Sequence, residues 1–159
     1  MELRYKHVEV ALAEVIGIGP NDMPAFRARL RHLRNIGVPR LPNPGSGQPI
    51  AYTRQQALAL LLALELETVG QAPKKVETTL QKEELVRLAK TIVRQSPYGK
   101  YKGKDCFAVV TESRPGVTLA FGVRPFLEFM KSAPPAFLVI NVSACVRQLN
   151  PALDRALAT

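Results

Sequence analysis

The 159-residue sequence has no tryptophan, two histidines and two cysteines. Cys106 and Cys145 cannot make a disulfide-dense scaffold, nor by themselves a four-ligand zinc site. No paired carboxylates, Gly-x-Ser-x-Gly, phosphate loop or metal-ligand cluster appears. No catalytic residue, metal or cofactor is therefore indicated, and an enzyme is the weakest reading. A Cys-plus-His pairing is the one catalytic arrangement left open. Long apolar runs are missing too. The longest, around Leu58 to Leu64, is far short of a bilayer span. Charges interrupt the opening MELRYKHVEVALAEV. Neither a membrane partner nor a secretory leader is expected, and the compartment expected is a reducing one.

Acid is also scarce. Asp and Glu total 13 against 22 Lys and Arg, a formal net charge of +9 and a pI near 9.9. With 47% hydrophobic residues the chain can still bury a core. The charge points to an anionic partner. Its placement is uneven. Between Asp22 and Glu65 there is no acidic residue and no lysine, but there are six arginines: Arg27, Arg29, Arg31, Arg34, Arg40 and Arg54. The forked guanidinium suits phosphates and guanine edges better than a solvated ammonium does. From Asp105 to Thr159 the balance is nearly even, five basic residues to four acidic.

Apolar spacing predicts a helix over His7 to Ile18, stopped by Gly17-Ile-Gly-Pro20. Asp22 is a candidate N-cap and Pro24 fits a first turn, so a second helix should run from about Met23 to Asn35. Met23, Phe26, Leu30 and Leu33 form its inward stripe. Arg27, Arg31 and Arg34 line one flank and Arg29 the other. Ala25, Ala28, His32 and Asn35 point away from the core. Small alanines there let the helix approach a groove closely. Two helices across a Gly-containing turn, the second rich in arginine, suggest a helix-turn-helix. Arg40 to Thr53 carries three prolines and two glycines after its arginine and is read as a hairpin wing or a plain connecting loop.

Thr53 and Gln56 have capping-box spacing before a leucine-rich third helix, ended by Gly70 and Pro73. A fourth helix is expected over Val76 to Gln95. Tyr98 to Lys104 reads as a linker. Beyond it, strands at 106–110, 117–121 and 137–140 and helices at 125–131 and after Asn141 or Ser143 predict a small β-β-α-β-α unit. Pro151 should kink or restart the last helix. The fold class expected is α+β. The segments are 1–73, mainly α; 74–97, a connecting helix; and 98–159, a dimerisation or sensing unit. Val142, Val146, Leu149 and Leu153 either offer an exposed self-association surface or close that unit's own core. The cysteines are expected to be buried and structural.

Leu30-Arg-His-Leu-Arg-Asn-Ile-Gly-Val38 resembles the end of the second helix in MerR-type winged helix-turn-helix proteins. The likeness continues through Pro39, the Gly-rich segment and Ile50-Ala-Tyr52-Thr53, and spans roughly Val8 to Pro73. It implies a DNA-binding transcription regulator that acts as a homodimer on two-fold-related double-stranded DNA, in a bacterial or phage-related setting, cytoplasmic and nucleoid-associated. The Arg matched by Arg31 and the aromatic matched by His32 touch the DNA backbone in that family. The candidate DNA-binding set is Arg27, Arg29, Arg31, His32, Arg34 and Asn35 on the helix, with Arg40, Gln48 and Arg54 on the wing and just after it. A long dimerisation helix followed by a metal or drug site is not evident, so no small-molecule effector is indicated. The alternative is a basic protein-interaction or ligand-sensing adaptor that docks on an acidic protein partner.

Overall fold

The computed structural model describes residues 3–39, 50–80, 104–111, 117–131 and 137–159. The chain is α+β, with six α-helices and two small antiparallel sheets among the described residues. Strand β1 (Leu3–Arg4) leads into α1 (Tyr5–Ile16). Val8, Ala11 and Leu12 bury one face of that helix. Gly17 then takes φ +79°, a left-handed conformation that suits glycine, and its N–H donates to the Ala13 carbonyl at 2.9 Å. The helix starts two residues earlier than the periodicity indicated, because Tyr5 and Lys6 join it directly from β1.

A single turn of 3-10 helix (Pro20–Asp22) precedes α2 (Met23–Asn35), whose bounds match the expectation. Phe26, Leu30 and Leu33 are its buried stripe. The helix closes where the Val38 N–H donates to the Leu33 carbonyl at 2.9 Å, with Gly37 at φ +86° between them. Strand β2 (Ala51–Tyr52) pairs antiparallel with β1, Leu3 opposite Tyr52 and Arg4 opposite Ala51.

Helix α3 (Arg54–Thr68) starts at the capping box expected of Thr53 and Gln56. The Gln56 N–H donates to Thr53 Oγ1 at 3.2 Å, and the Thr53 N–H donates to Gln56 Oε1 at 2.8 Å. More than one stripe is buried: Leu58, Leu61, Leu62 and Leu66 are joined by Leu60, Ala63 and Leu64. A helix apolar nearly all round belongs at the centre of a core. Here α1, α2, the final helix and α4 (Pro73–Leu80) surround it. Pro73 opens α4, where its missing N–H has no intrahelical acceptor to serve. The expected continuation to Gln95 lies outside the described residues.

The second sheet has the order β4-β3-β5, with both pairings antiparallel. Its strands are β3 (Cys106–Thr111), β4 (Val117–Phe121) and β5 (Phe137–Asn141). Helix α5 (Val123–Lys131) crosses between β4 and β5, and α6 (Val142–Ala158) follows β5. Strand alternation sends Phe107 toward α5, where its ring stacks on Phe126 with centroids 5.0 Å apart. Cys106 and Ala108 lie on the opposite, buried face, against α6. The Asn141 side chain accepts from the Ala144 N–H at 2.9 Å and caps α6. The Ser143 hydroxyl accepts the buried Cys106 N–H at 2.9 Å, fastening helix to sheet.

Two alternatives that the sequence left open narrow here. Helix α6 runs through Pro151 without a restart. Pro151 is exposed, and so is Arg147, whose carbonyl loses its partner and is left for solvent to serve. Val142, Val146, Leu149 and Leu153 do not form an exposed surface. They are at most 2% accessible and pack α6 onto α1, α3 and β3. One apolar cluster runs from Leu3 to Ala156, so the last helix completes the core of the first three. No helix among the described residues is long and apolar enough to cross a membrane.

Candidate nucleic-acid interface

The five described arginines of the acid-free stretch do not share one environment. Arg27 Nε donates to Glu9 Oε1 on α1 at 2.7 Å. Glu9 is a buried acid on the core side of α1, so the pair satisfies a charge that would otherwise lie desolvated. Arg29, on the other flank of α2, meets Glu67 of α3 through Nε at 3.3 Å and Nη2 at 3.2 Å. Arg54 sits at the start of α3 and reaches α6. It pairs with Asp154 and donates to the carbonyl and Oδ1 of Asn150 at 3.4 and 3.3 Å. These three arginines tie elements together. Arg54, expected to serve the wing, is a joint between α3 and α6.

Arg34 is half-buried. Its guanidinium carbon lies 5.1 Å from the centre of the Tyr5 ring, a cation–π contact. Arg31 is exposed and has no carboxylate partner among the described residues. Arg40 and Gln48 lie outside the described residues, as does the expected wing tip.

With the flanks committed, the outer face of α2 is well defined. Pro24, Ala25, Ala28, Arg31, His32 and Asn35 are all exposed. At 100° per residue they cover about 120° of the helix, opposite Phe26, Leu30 and Leu33. The face is narrow in side-chain bulk at its N-terminal end and carries hydrogen-bonding groups at its C-terminal end. The two flanking ion pairs hold α2 against α1 and α3, which fixes the direction in which this face points.

Sequence reasoning missed Glu9, Glu67 and Asp154, because the acid-free stretch is acid-free only along the chain. A signal existed for one of them. Glu9 follows the buried Val8 and precedes Ala11 and Leu12, and an acid so close to an apolar stripe needs a cation. Reasoning also missed Tyr5 and Tyr52, whose rings lie 6.3 Å apart at 49° beside Arg34. Burial, the largest cause for both, holds both phenols above their ordinary pKa, so they are protonated donors near neutrality.

Burial pushes the Cys106 thiol up to about 12 and the Cys145 thiol up to about 11. Neither is a poised nucleophile or a ready thiolate ligand. No group of three or more His, Cys, Asp or Glu among the described residues could hold a metal ion. Compared with known protein families and with curated proteins, the sequence matches none.

Proposed function

We propose that this chain is a sequence-specific, double-stranded DNA-binding transcription regulator of winged helix-turn-helix type. The carrying observation is the outer face of α2, where Arg31 stands without an acid partner beside His32 and Asn35, behind the small side chains Ala25 and Ala28. An α-helix fits the major groove, and arginine, histidine and asparagine can donate to its acceptors. The alanines let the helix axis come close. The Arg27–Glu9 and Arg29–Glu67 pairs support the reading by holding the helix at one angle. The likeness of 30–38 and 50–53 to MerR-type regulators supports it as well.

In this reading the chain acts as a homodimer on two-fold-related half-sites. The dimer contact does not use Val142, Val146, Leu149 or Leu153, which are interior. The segment 40–52 follows the phosphate backbone beside the groove.

The test is a titration of wild type and Arg31→Ala against a mixed-sequence duplex and a duplex selected for binding, over a range of salt. Wild type should bind both, with two chains per selected duplex. Arg31→Ala should lower the slope of log K against log salt by about one. Absence of duplex binding by wild type overturns the assignment, and a one-to-one complex on the selected duplex overturns its homodimer part.

A further inference from the structure

Among the described residues, the corner where β1, α1, β2 and the end of α2 meet leaves two buried donors without an acceptor. Tyr52 is 4% exposed, yet its hydroxyl has no hydrogen-bond partner. Nε of Arg34 is also shut off from solvent and also unpartnered. Native proteins leave few such atoms, because each has lost water and gained nothing in return. The two deficits are of one kind. A guanidinium N–H can only donate, and a phenol that no N–H serves still has its own proton to give.

Among the described residues nothing nearby supplies the missing oxygen. Glu9 is the carboxylate that acts electrostatically on Tyr5, and Arg27 already holds it. Arg31 also acts on Tyr5 with its positive charge. The corner therefore gathers two cations, one stacked on Tyr5, around two idle donors.

We propose that Arg34, Tyr5 and Tyr52 form a seat for one phosphodiester oxygen of a nucleic-acid backbone. The Arg34 N–H groups and the Tyr52 hydroxyl donate to that oxygen, while the Tyr5 ring holds the guanidinium in place. The seat rests on the DNA-binding reading and adds to it a fixed anchor at the C-terminal end of α2. One helical turn separates Arg34 from Arg31, so a phosphate held at the corner sets how far the outer face enters the groove. The hydroxyl is covered in the free chain. In the proposed complex the ligand uncovers the hydroxyl while the guanidinium stays against Tyr5, and two orphaned donors then gain an acceptor. Two idle donors match the single shared charge of a diester better than a phosphate dianion, which asks for more.

The experiment uses the full chain with Tyr52→Phe, Arg34→Gln and Arg31→Ala. Three quantities are read: the melting temperature of the free protein, duplex affinity against salt, and the melting shift in millimolar inorganic phosphate. Tyr52→Phe should leave the free protein's melting temperature unchanged or raised, since the lost hydroxyl had no partner. It should weaken duplex binding several-fold with no change in salt slope, because a neutral donor releases no counterion. Arg34→Gln should weaken binding and lower the slope by about one. If both variants bind like wild type while Arg31→Ala still binds more weakly, the seat is wrong and the DNA reading stands. If wild type binds no duplex, both fall. A melting temperature lowered by Tyr52→Phe would mean that the hydroxyl is already satisfied, which overturns the seat. Stabilisation of wild type by inorganic phosphate that Tyr52→Phe abolishes, with duplex affinity untouched, would assign the corner to a free anion and overturn the backbone seat.

Discussion

Arg27 and Arg31 stand one helical turn apart on α2, and their surroundings differ in kind. Arg27 leans toward α1 and neutralises Glu9. Arg31 points outward and meets no acid among the described residues. Arg29 and Arg54 resemble Arg27, each closing a contact between helices. The lesson is that cationic residues close in sequence divide into those that hold the fold and those whose charge the described fold leaves unpaired. Net charge cannot separate the two groups. Partners can.

The largest test of that division concerns the core that both groups rest on. Leu153 is fully buried where α6 meets the N-terminal helices. Leu153→Ala should cost about 2–5 kcal/mol in a urea unfolding curve. Because the core is one cluster, circular dichroism and tyrosine fluorescence should report a single coincident transition. Two separated transitions would mean that the C-terminal third folds on its own.

Next in size is the contrast between the arginines themselves. Arg27→Ala strands a carboxylate that is 10% exposed, and should destabilise by about 1–2 kcal/mol. The figure is held down because the Arg27 side chain is 55% exposed and partly screened. Arg31→Ala should shift stability by less than about 0.5 kcal/mol. Equal losses from the two variants would erase the division.

The smallest effect is a matter of pH. Burial raises the Cys106 thiol from 9.0 to about 12. An acid whose folded value is raised favours the folded state fully below its unfolded value. That advantage is lost as pH climbs from about 9 toward 12, since the unfolded chain releases its proton first. Stability should therefore decline over that window, and less steeply in Cys106→Ala. An identical decline in the variant would show that the Cys106 thiol does not drive it.

Much of the fold was legible because its signals are local. Asn21-Asp-Met-Pro24 and Asn35-Ile-Gly37 bracket α2 within a few residues of chain, and α2 runs between them. The Thr53 and Gln56 cap spans three residues and forms as spaced. The sheet strands announced themselves by β-branched and aromatic runs bounded by turns. The site was legible only in part. The outward position of His32 and Asn35 follows from helical periodicity, which put Arg31 on the flank with Arg27 and Arg34. Their neighbours' roles do not. Glu9 is 18 residues from Arg27, Glu67 is 38 from Arg29, and Asp154 is 100 from Arg54. No pattern along the chain encodes such pairings.

The same limit governed α6. Its apolar stripe was visible, but a stripe says only that a face must be covered, not by what. The α+β class, the Thr53 and Asn141 caps and the strand runs were thus determined by the sequence itself, since propensity and capping act within one or two turns. Asp22 precedes α2 as expected but makes no side-chain cap hydrogen bond. Only the tertiary structure decided which arginines are spent on Glu9, Glu67 and Asp154. It also decided that the final helix fills the core, and that Tyr5 and Tyr52 flank Arg34. Each of these rests on surfaces brought together from distant parts of the chain, where burial makes an unpaired charge or an uncovered leucine costly.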